Sequence, residues 1–267
     1  MYVHEGIRFH KKPVSFIIFE MTLKDFFKEN PKAALAFSGG VDSSYLMLAA
    51  AQAGADVKAY LVKGPFQPQF ELEDAYKVAE QTGIEMKVLQ ADVLSDEQIA
   101  SNPPNRCYYC KKKVFGLIMA AAAEDGYQVI MDGTNASDDA GDRPGMKALA
   151  EMQVRSPLRE CGLTKADVRR LSREGGLFTW NKPAYACLAT RIPSGDPITE
   201  EKLEATEHCE GFMFSLGFSD FRIRRLGDNA KLQLPEDQLQ LLMHNRKSVI
   251  EELGKYYKDV LLDLNTR

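Results

Sequence analysis

The sequence predicts an α/β fold, a doubly wound parallel sheet followed by a small α+β unit. Short apolar runs alternate with amphipathic helix-length stretches over about a hundred residues, and Gly54, Gly83 and Gly126 punctuate the helix ends. Strands that alternate with helices require crossovers, and crossovers place helices on both faces of a parallel sheet. From Thr199 the order changes to helix, strand, strand, helix, strand, which predicts the second unit.

The elements follow in order. Residues 22–29 have helical spacing of apolar positions. KAALAF (32–37) is a buried strand, and VDSSYLMLAAAQAG after it is a helix that stops at Gly54. VKAYLVK (57–63), MKVLQAD (86–92) and YQVIMDG (127–133) are the next strands. Helices at 71–83 and from the prolines at 103 and 104 to about Glu124 lie between them. Right-handed crossovers then put ligand-binding residues at the carboxyl ends of the strands. Asp132, Asp138, Asp142 and Arg143 fall there, without individual roles. TNASDDAGDRPGMKA (134–148) is polar and too long for an idle connector. Thr164 caps a helix over 164–176, with Asp167 three residues on. WNKPAYACLATRIPSGDP (180–197) is irregular. The second unit holds a helix to about Leu216, strands at 221–226 and 231–235, a helix at 236–254 and a strand at 259–264. The expected division is an N-terminal extension at 1–20, a main domain at 21–198 and a small domain at 199–267.

With 267 residues, 45% hydrophobic and 27% charged, the chain has ample length for a buried core. A net charge of −4 argues against a strongly electrostatic nucleic-acid binder. VSFIIF (14–19) is too short to span a membrane. Five scattered cysteines at this length do not make a secreted disulfide framework, so a reducing cytoplasm is expected.

LAFSGGVDSS (35–44) joins a buried strand to a helix through two glycines and small hydroxyl residues. Gly39 and Gly40 allow a sharp turn and close approach to a ligand. Ser38, Ser43 and Ser44 offer hydroxyls, and the helix start favours an anion. The spacing is neither that of a Walker A loop nor G-x-G-x-x-G. It resembles the S-G-G-x-D-S pyrophosphate loop of the ATP pyrophosphatase (PP-loop) superfamily, with its adenine nucleotide alpha hydrolase-like fold. The resemblance implies cleavage of ATP between its α and β phosphates, adenylation of a substrate oxygen, and a role for Asp42 in positioning Mg²⁺-pyrophosphate.

An adenylated carboxylate needs a nucleophile. Cys107 and Cys110 lie at i, i+3 in the first turns of a helix, where the dipole, Arg106 and Lys111–Lys113 favour thiolates. Cys187 lies far off, in a loop that can reach them. Three such thiols suit Zn²⁺ with a fourth ligand, or a [4Fe–4S] cluster with one iron free of protein ligation. A redox dithiol and purely structural cysteines are the plainer alternatives. Cys161 and Cys209 are read as bystanders, and His4, His10, His208 and His244 match no triad or zinc spacing.

FSGGVDSSYL, CYYCKKKVF, DGTNASDDAGDRPGMKA, SPLRE, WNKPAYACLATRIPSG and FRIRRLGDNAKLQLP together resemble the LarE family over about residues 22–264. That resemblance implies an ATP-dependent sulfur transferase of nickel-pincer nucleotide biosynthesis for lactate racemase. Its substrate would be pyridinium-3,5-biscarboxylic acid mononucleotide, whose carboxylates become thiocarboxylates. One subgroup sacrifices the sulfur of a single cysteine at the position of Cys187; another has three cysteines and is associated with a [4Fe–4S] cluster. Cys107, Cys110 and Cys187 match the second pattern. Arg222 and Arg224 match arginines expected on the substrate phosphate, and Arg191 is grouped with them. An external sulfur donor and a homo-oligomer are implied by the resemblance. The competing expectations are a PP-loop tRNA thiolase, an ammonia-dependent synthetase of the NAD or GMP synthetase kind, and a non-enzymatic ATP-sensing module.

Overall fold

The computed structural model describes residues 21–138 and 144–265. The N-terminal extension, with His4 and His10, and the positions Asp142 and Arg143 lie outside the described residues.

The first half runs α1 (Leu23–Glu29), β1 (Lys32–Ala36), α2 (Val41–Ala53), β2 (Asp56–Lys63), α3 (Gln69–Thr82), β3 (Met86–Gln90), α4 (Glu97–Ala100), α5 (Arg106–Glu124) and β4 (Val129–Met131). The strands form one parallel sheet in the order β3-β2-β1-β4. Strand alternation divides the core. Val57, Ala59 and Leu61 of β2 pack on one face with Phe26, Leu46, Met47 and Val78. Tyr60 and Val62 face the other way, against Phe115, Ile118 and Ala122 of α5. The period of two therefore buries both faces of the sheet. The strand order reverses between β1 and β4, and their carboxyl ends open a crevice there.

Three short helices follow: α6 (Pro144–Glu151), α7 (Pro157–Glu160) and α8 (Lys165–Glu174). Thr164 and Asp167 form the expected capping box at α8. The 180–197 segment holds the end of one 3-10 turn, Phe178–Asn181, and all of a second, Leu188–Arg191, and no strand.

The final unit comprises α9 (Glu200–Ser215), β5 (Arg222–Leu226), β6 (Asn229–Gln233), α10 (Leu239–His244), α11 (Arg246–Leu253) and β7 (Val260–Leu262). β5 and β6 are an antiparallel hairpin, and β7 adds parallel to β6. The single helix expected at 236–254 is instead a 3-10 turn and two helices broken at Asn245, whose side chain donates to Leu241 O at 3.0 Å. That side-chain bond competes with continuation of the helix. No helix among the described residues is long and apolar enough to cross a membrane.

Candidate active site

The loop after β1 is built as its sequence suggests. Gly39 has φ +73, and a Cβ there would meet Glu71 O at 2.9 Å. Only glycine serves both constraints. Gly40 caps α2. Ser43 Oγ donates to Gly40 O at 3.2 Å, accepts from Ser38 N at 3.3 Å and lies 3.1 Å from Ser38 Oγ. Ser44 is fully buried, and its hydroxyl has no hydrogen-bond partner among the described residues. The end of β4 presses on this helix start: a Cβ at Gly133 would sit 2.7 Å from Ser43 N. Asp42 accepts from Asn135 Nδ2 at 3.2 Å and from Lys165 Nζ at 2.5 Å.

These groups border a cavity of about 370 Å³, with Ser38, Gly40, Asp42 and Ser43 on one side and Cys187 also in its wall. Leu61, Val62, Phe66 and Leu72 supply apolar lining. Asp132 is buried at the end of β4 and accepts from Thr134 Oγ1 at 2.6 Å and Ser156 Oγ at 2.8 Å. Lys111 lines the same cavity, and burial lowers its pKa against the opposing pull of Asp132. It stands four residues after Cys107, on the same face of α5. Lys112 and Lys113 turn outward to Glu151 and Ser95. That face was the signal that separates Lys111 from its neighbours.

The three cysteines come within electrostatic reach of one another. Cys107 is exposed in the first turn of α5, while Cys110 and Cys187 are half-buried. Burial, then the neighbouring Cys187 and Cys107, pushes the Cys110 thiol up to about 12. Burial raises Cys187 too, against the pull of Arg106. The thiolate preference expected from the helix start is therefore outweighed at Cys110 by loss of water around the sulfur. Among the described residues, no three His, Cys, Asp or Glu side chains close around a point as ligands of a single metal ion. A cluster makes a different demand, since each thiolate takes its own iron. The trio fits that donor set. Cys161 packs beside the core under α2, and Cys209 is buried in the final unit.

Arg106 and Asn102 strap the cysteine segments together. Arg106 NH1 donates to Asn102 Oδ1 at 2.7 Å and to Ala189 O at 3.0 Å. Asn102 Nδ2 donates to Pro193 O at 2.8 Å and Asp196 O at 3.0 Å.

The three expected phosphate arginines are placed differently from one another. Arg191 is 1% exposed and paired with Glu210 through Nε at 2.8 Å and NH2 at 3.0 Å. Its NH1 donates to Ala186 O at 2.9 Å, beside Cys187. Arg222 is buried and donates to Ala184 O. Arg224 donates to Thr190 O at 2.9 Å and to Gln233 Oε1 at 2.6 Å. Arg222 and Arg224 thus share a face of β5, and that face meets the Cys187 segment. A second cavity, about 440 Å³, is lined by Cys107, Arg106, Arg191, Arg224, Arg225 and Lys231.

The family model described as queuosine biosynthesis protein QueC matches residues 32–102, from β1 through the phosphate loop to the residues before α5. The pyridinium-3,5-bisthiocarboxylic acid mononucleotide synthase of Lactiplantibacillus plantarum is 34% identical over 91% of this chain and 89% of its own length. The chain belongs to the LarE family.

An uncharacterized protein of Synechocystis sp. is 36% identical over 82% of both chains. A tRNA-specific 2-thiouridylase of Clostridium botulinum is 28% identical over 56% of this chain and 51% of its own. The likeness to LarE thus extends through the cysteine segments and the final unit, beyond the shared phosphate-loop domain. Sequence reasoning did not single out Asn102, Lys165 and Glu210, whose side chains bond to the segments that carry the phosphate loop and the cysteines. Their partners lie 90, 123 and 19 residues away, so no local pattern marks them.

Proposed function

We propose that this chain is an ATP-dependent sulfur transferase that converts the carboxylates of pyridinium-3,5-biscarboxylic acid mononucleotide to thiocarboxylates, for the nickel-pincer cofactor of lactate racemase. The near full-length likeness to the bisthiocarboxylic acid mononucleotide synthase carries this reading. The geometry supports it: Cys187 shares a cavity with the phosphate loop, and Cys107 borders a basic cavity suited to a nucleotide phosphate.

ATP with its Mg²⁺ would occupy the first cavity. Gly40, Ser38 and Ser43 would hold phosphate oxygens, and Asp42 would face the metal-bound triphosphate. Ser44 and Gly39 would act through the shape of the loop. A substrate carboxylate oxygen bonds to the α-phosphorus, the bond to the bridging oxygen breaks, and pyrophosphate leaves. A sulfur nucleophile then bonds to the acyl carbon, and AMP departs with the C–O electron pair. Cys107, Cys110 and Cys187 would hold a [4Fe–4S] cluster, which when bound supplies an iron without a protein ligand at which sulfur from an external donor can be delivered. Arg191 would keep the Cys187 segment in place through the carbonyl of Ala186, and Arg224 with Arg222 would receive the substrate phosphate beside it.

Anaerobic reconstitution tests the cluster: a brown protein absorbing at about 400 nm supports it, and a colourless zinc-loaded one sinks it. Release of AMP and pyrophosphate that depends on the biscarboxylate nucleotide tests the substrate. Release that depends on tRNA instead would favour the thiouridylase relatives. Full thiolation by Cys187→Ala would remove that loop from the mechanism.

A further inference from the structure

We propose that Lys231 is a further binding residue for the phosphate of the substrate, and that it closes on that phosphate together with Arg224 from the facing strand. The inference rests on the proposed mononucleotide substrate, with its phosphate in the basic cavity.

β5 and β6 pair in a register that sets Arg224 directly opposite Lys231. Both residues line the basic cavity. Directly opposed side chains of an antiparallel pair stand about 5 Å apart, and like charges there destabilise the sheet. The hairpin therefore gains no folding stability from two cations at this position. Arg222 shares the face of Arg224, so the face carries three cations.

One carboxylate orients two of them. Lys231 Nζ is 3.0 Å from Asp263 Oδ2. The same oxygen accepts from Gln233 Nε2 at 2.9 Å, and Gln233 Oε1 accepts from Arg224 Nε at 2.6 Å. Asp263 is pinned beside β6, with its N donating to Leu232 O at 2.8 Å. Its other oxygen accepts from Asn265 N and Nδ2, each at 3.2 Å. The carboxylate thus has donors without Lys231, and a partly exposed ion pair adds little to stability.

An ammonium carries three donors, of which Asp263 takes one. The Lys231 side chain is 34% exposed, which leaves donors for a ligand in the cavity it lines. Other cations of that wall have partners elsewhere: Arg191 pairs with Glu210, and Arg106 serves Asn102 and Ala189 O. A phosphate monoester carries close to two negative charges at neutral pH, since its second pKa is about 6. One guanidinium does not match that charge. Arg224 and Lys231 together do.

Equilibrium binding of the pyridinium biscarboxylate mononucleotide, and of its dephosphorylated nucleoside, to the wild-type chain, Lys231→Gln and Lys231→Arg tests this. Lys231→Gln removes the charge and keeps a donor for Asp263. Loss of one charge-assisted contact predicts that it binds the mononucleotide about tenfold or more weakly, while nucleoside binding stays within about twofold. Lys231→Arg should hold the mononucleotide within about threefold of wild type. Mg-ATP, assigned to the other cavity, should bind all three chains within about twofold. Equal mononucleotide affinity in Lys231→Gln and wild type would overturn the proposal. So would a parallel loss of the nucleoside at unchanged Tm, or a Lys231→Arg chain of unchanged Tm that loses the mononucleotide. A wild-type chain that binds the nucleoside as tightly as the mononucleotide would instead remove the phosphate from the basic cavity. One that binds neither would overturn the proposed substrate.

Discussion

Arg106 donates to Asn102 Oδ1 at 2.7 Å, directly before the first cysteine of α5. Asn102 is 1% exposed and adopts φ 55, and its amide also serves the carbonyls of Ile192, Pro193 and Asp196. One short side chain therefore ties the start of the cysteine helix to the segment after Cys187. Asn102→Ala should cost about 3 kcal/mol, because buried partners go unpaired and alanine resists positive φ. Asn102→Gly should recover about 1 kcal/mol of that by removing the backbone strain alone. Urea denaturation of the two variants measures the difference; equal losses would show that strain plays no part.

Gly39 and Gly133 answer to different constraints. Gly39→Ala combines φ +73 with a 2.9 Å approach to Glu71 O, and Gly133→Ala puts a methyl 2.7 Å from Ser43 N. Each should weaken Mg-ATP binding by roughly tenfold or more, through displacement of the loop that cradles phosphate. Gly54→Ala is the control. It has φ +67 and open space around it, so it should lose about 1 kcal/mol of stability and no nucleotide affinity.

The cysteines should separate by reagent access. In metal-free protein, iodoacetamide should modify the exposed Cys107 first, the half-buried Cys110 and Cys187 later, and the buried Cys209 only on unfolding. Peptide mass mapping over time reads the order. Early modification of Cys209 would contradict the packing of the final unit.

Acid should find Asp125. The Tyr60 hydroxyl at 2.8 Å, then Lys58 and Lys87, hold its carboxyl at about 2. The folded value lies below the unfolded one. The stabilisation is thus complete above the ordinary carboxylate range and is lost as pH falls from about 4 to about 2. Asp125→Asn should flatten the pH dependence of stability in that window, measured by Tm, and leave its slope near neutrality unchanged.

The phosphate loop was legible because six contiguous residues carry its geometry, from Ser38 to Ser43. The parallel sheet was legible because β2 alternates its packing between two cores. The cysteines were singled out by spacing, yet the thiolate expected at Cys110 is opposed by burial, which depends on neighbours such as Leu188 and Phe115 that pattern does not locate. Glu210 looked like any acidic residue of a surface helix. Its partner and its loss of solvent are products of tertiary packing. The break at Asn245 coincides with a side-chain hydrogen bond to Leu241 O that helical periodicity cannot register.

Glu210 stands on α9, past residue 198, where the sequence predicts a domain border, yet its carboxylate balances a guanidinium on the Cys187 segment. The topological border and the energetic border do not coincide. A chain ended at 198 would keep Arg191 among Leu188, Ala189 and Ile192 with no counter-charge, a loss of about 3–5 kcal/mol before any apolar surface is counted. Gene fusions and domain transplants that treat the first 198 residues as a portable cassette would therefore inherit a nucleotide loop with its cysteine arm unmoored. Any portable piece that keeps Arg191 paired must include α9.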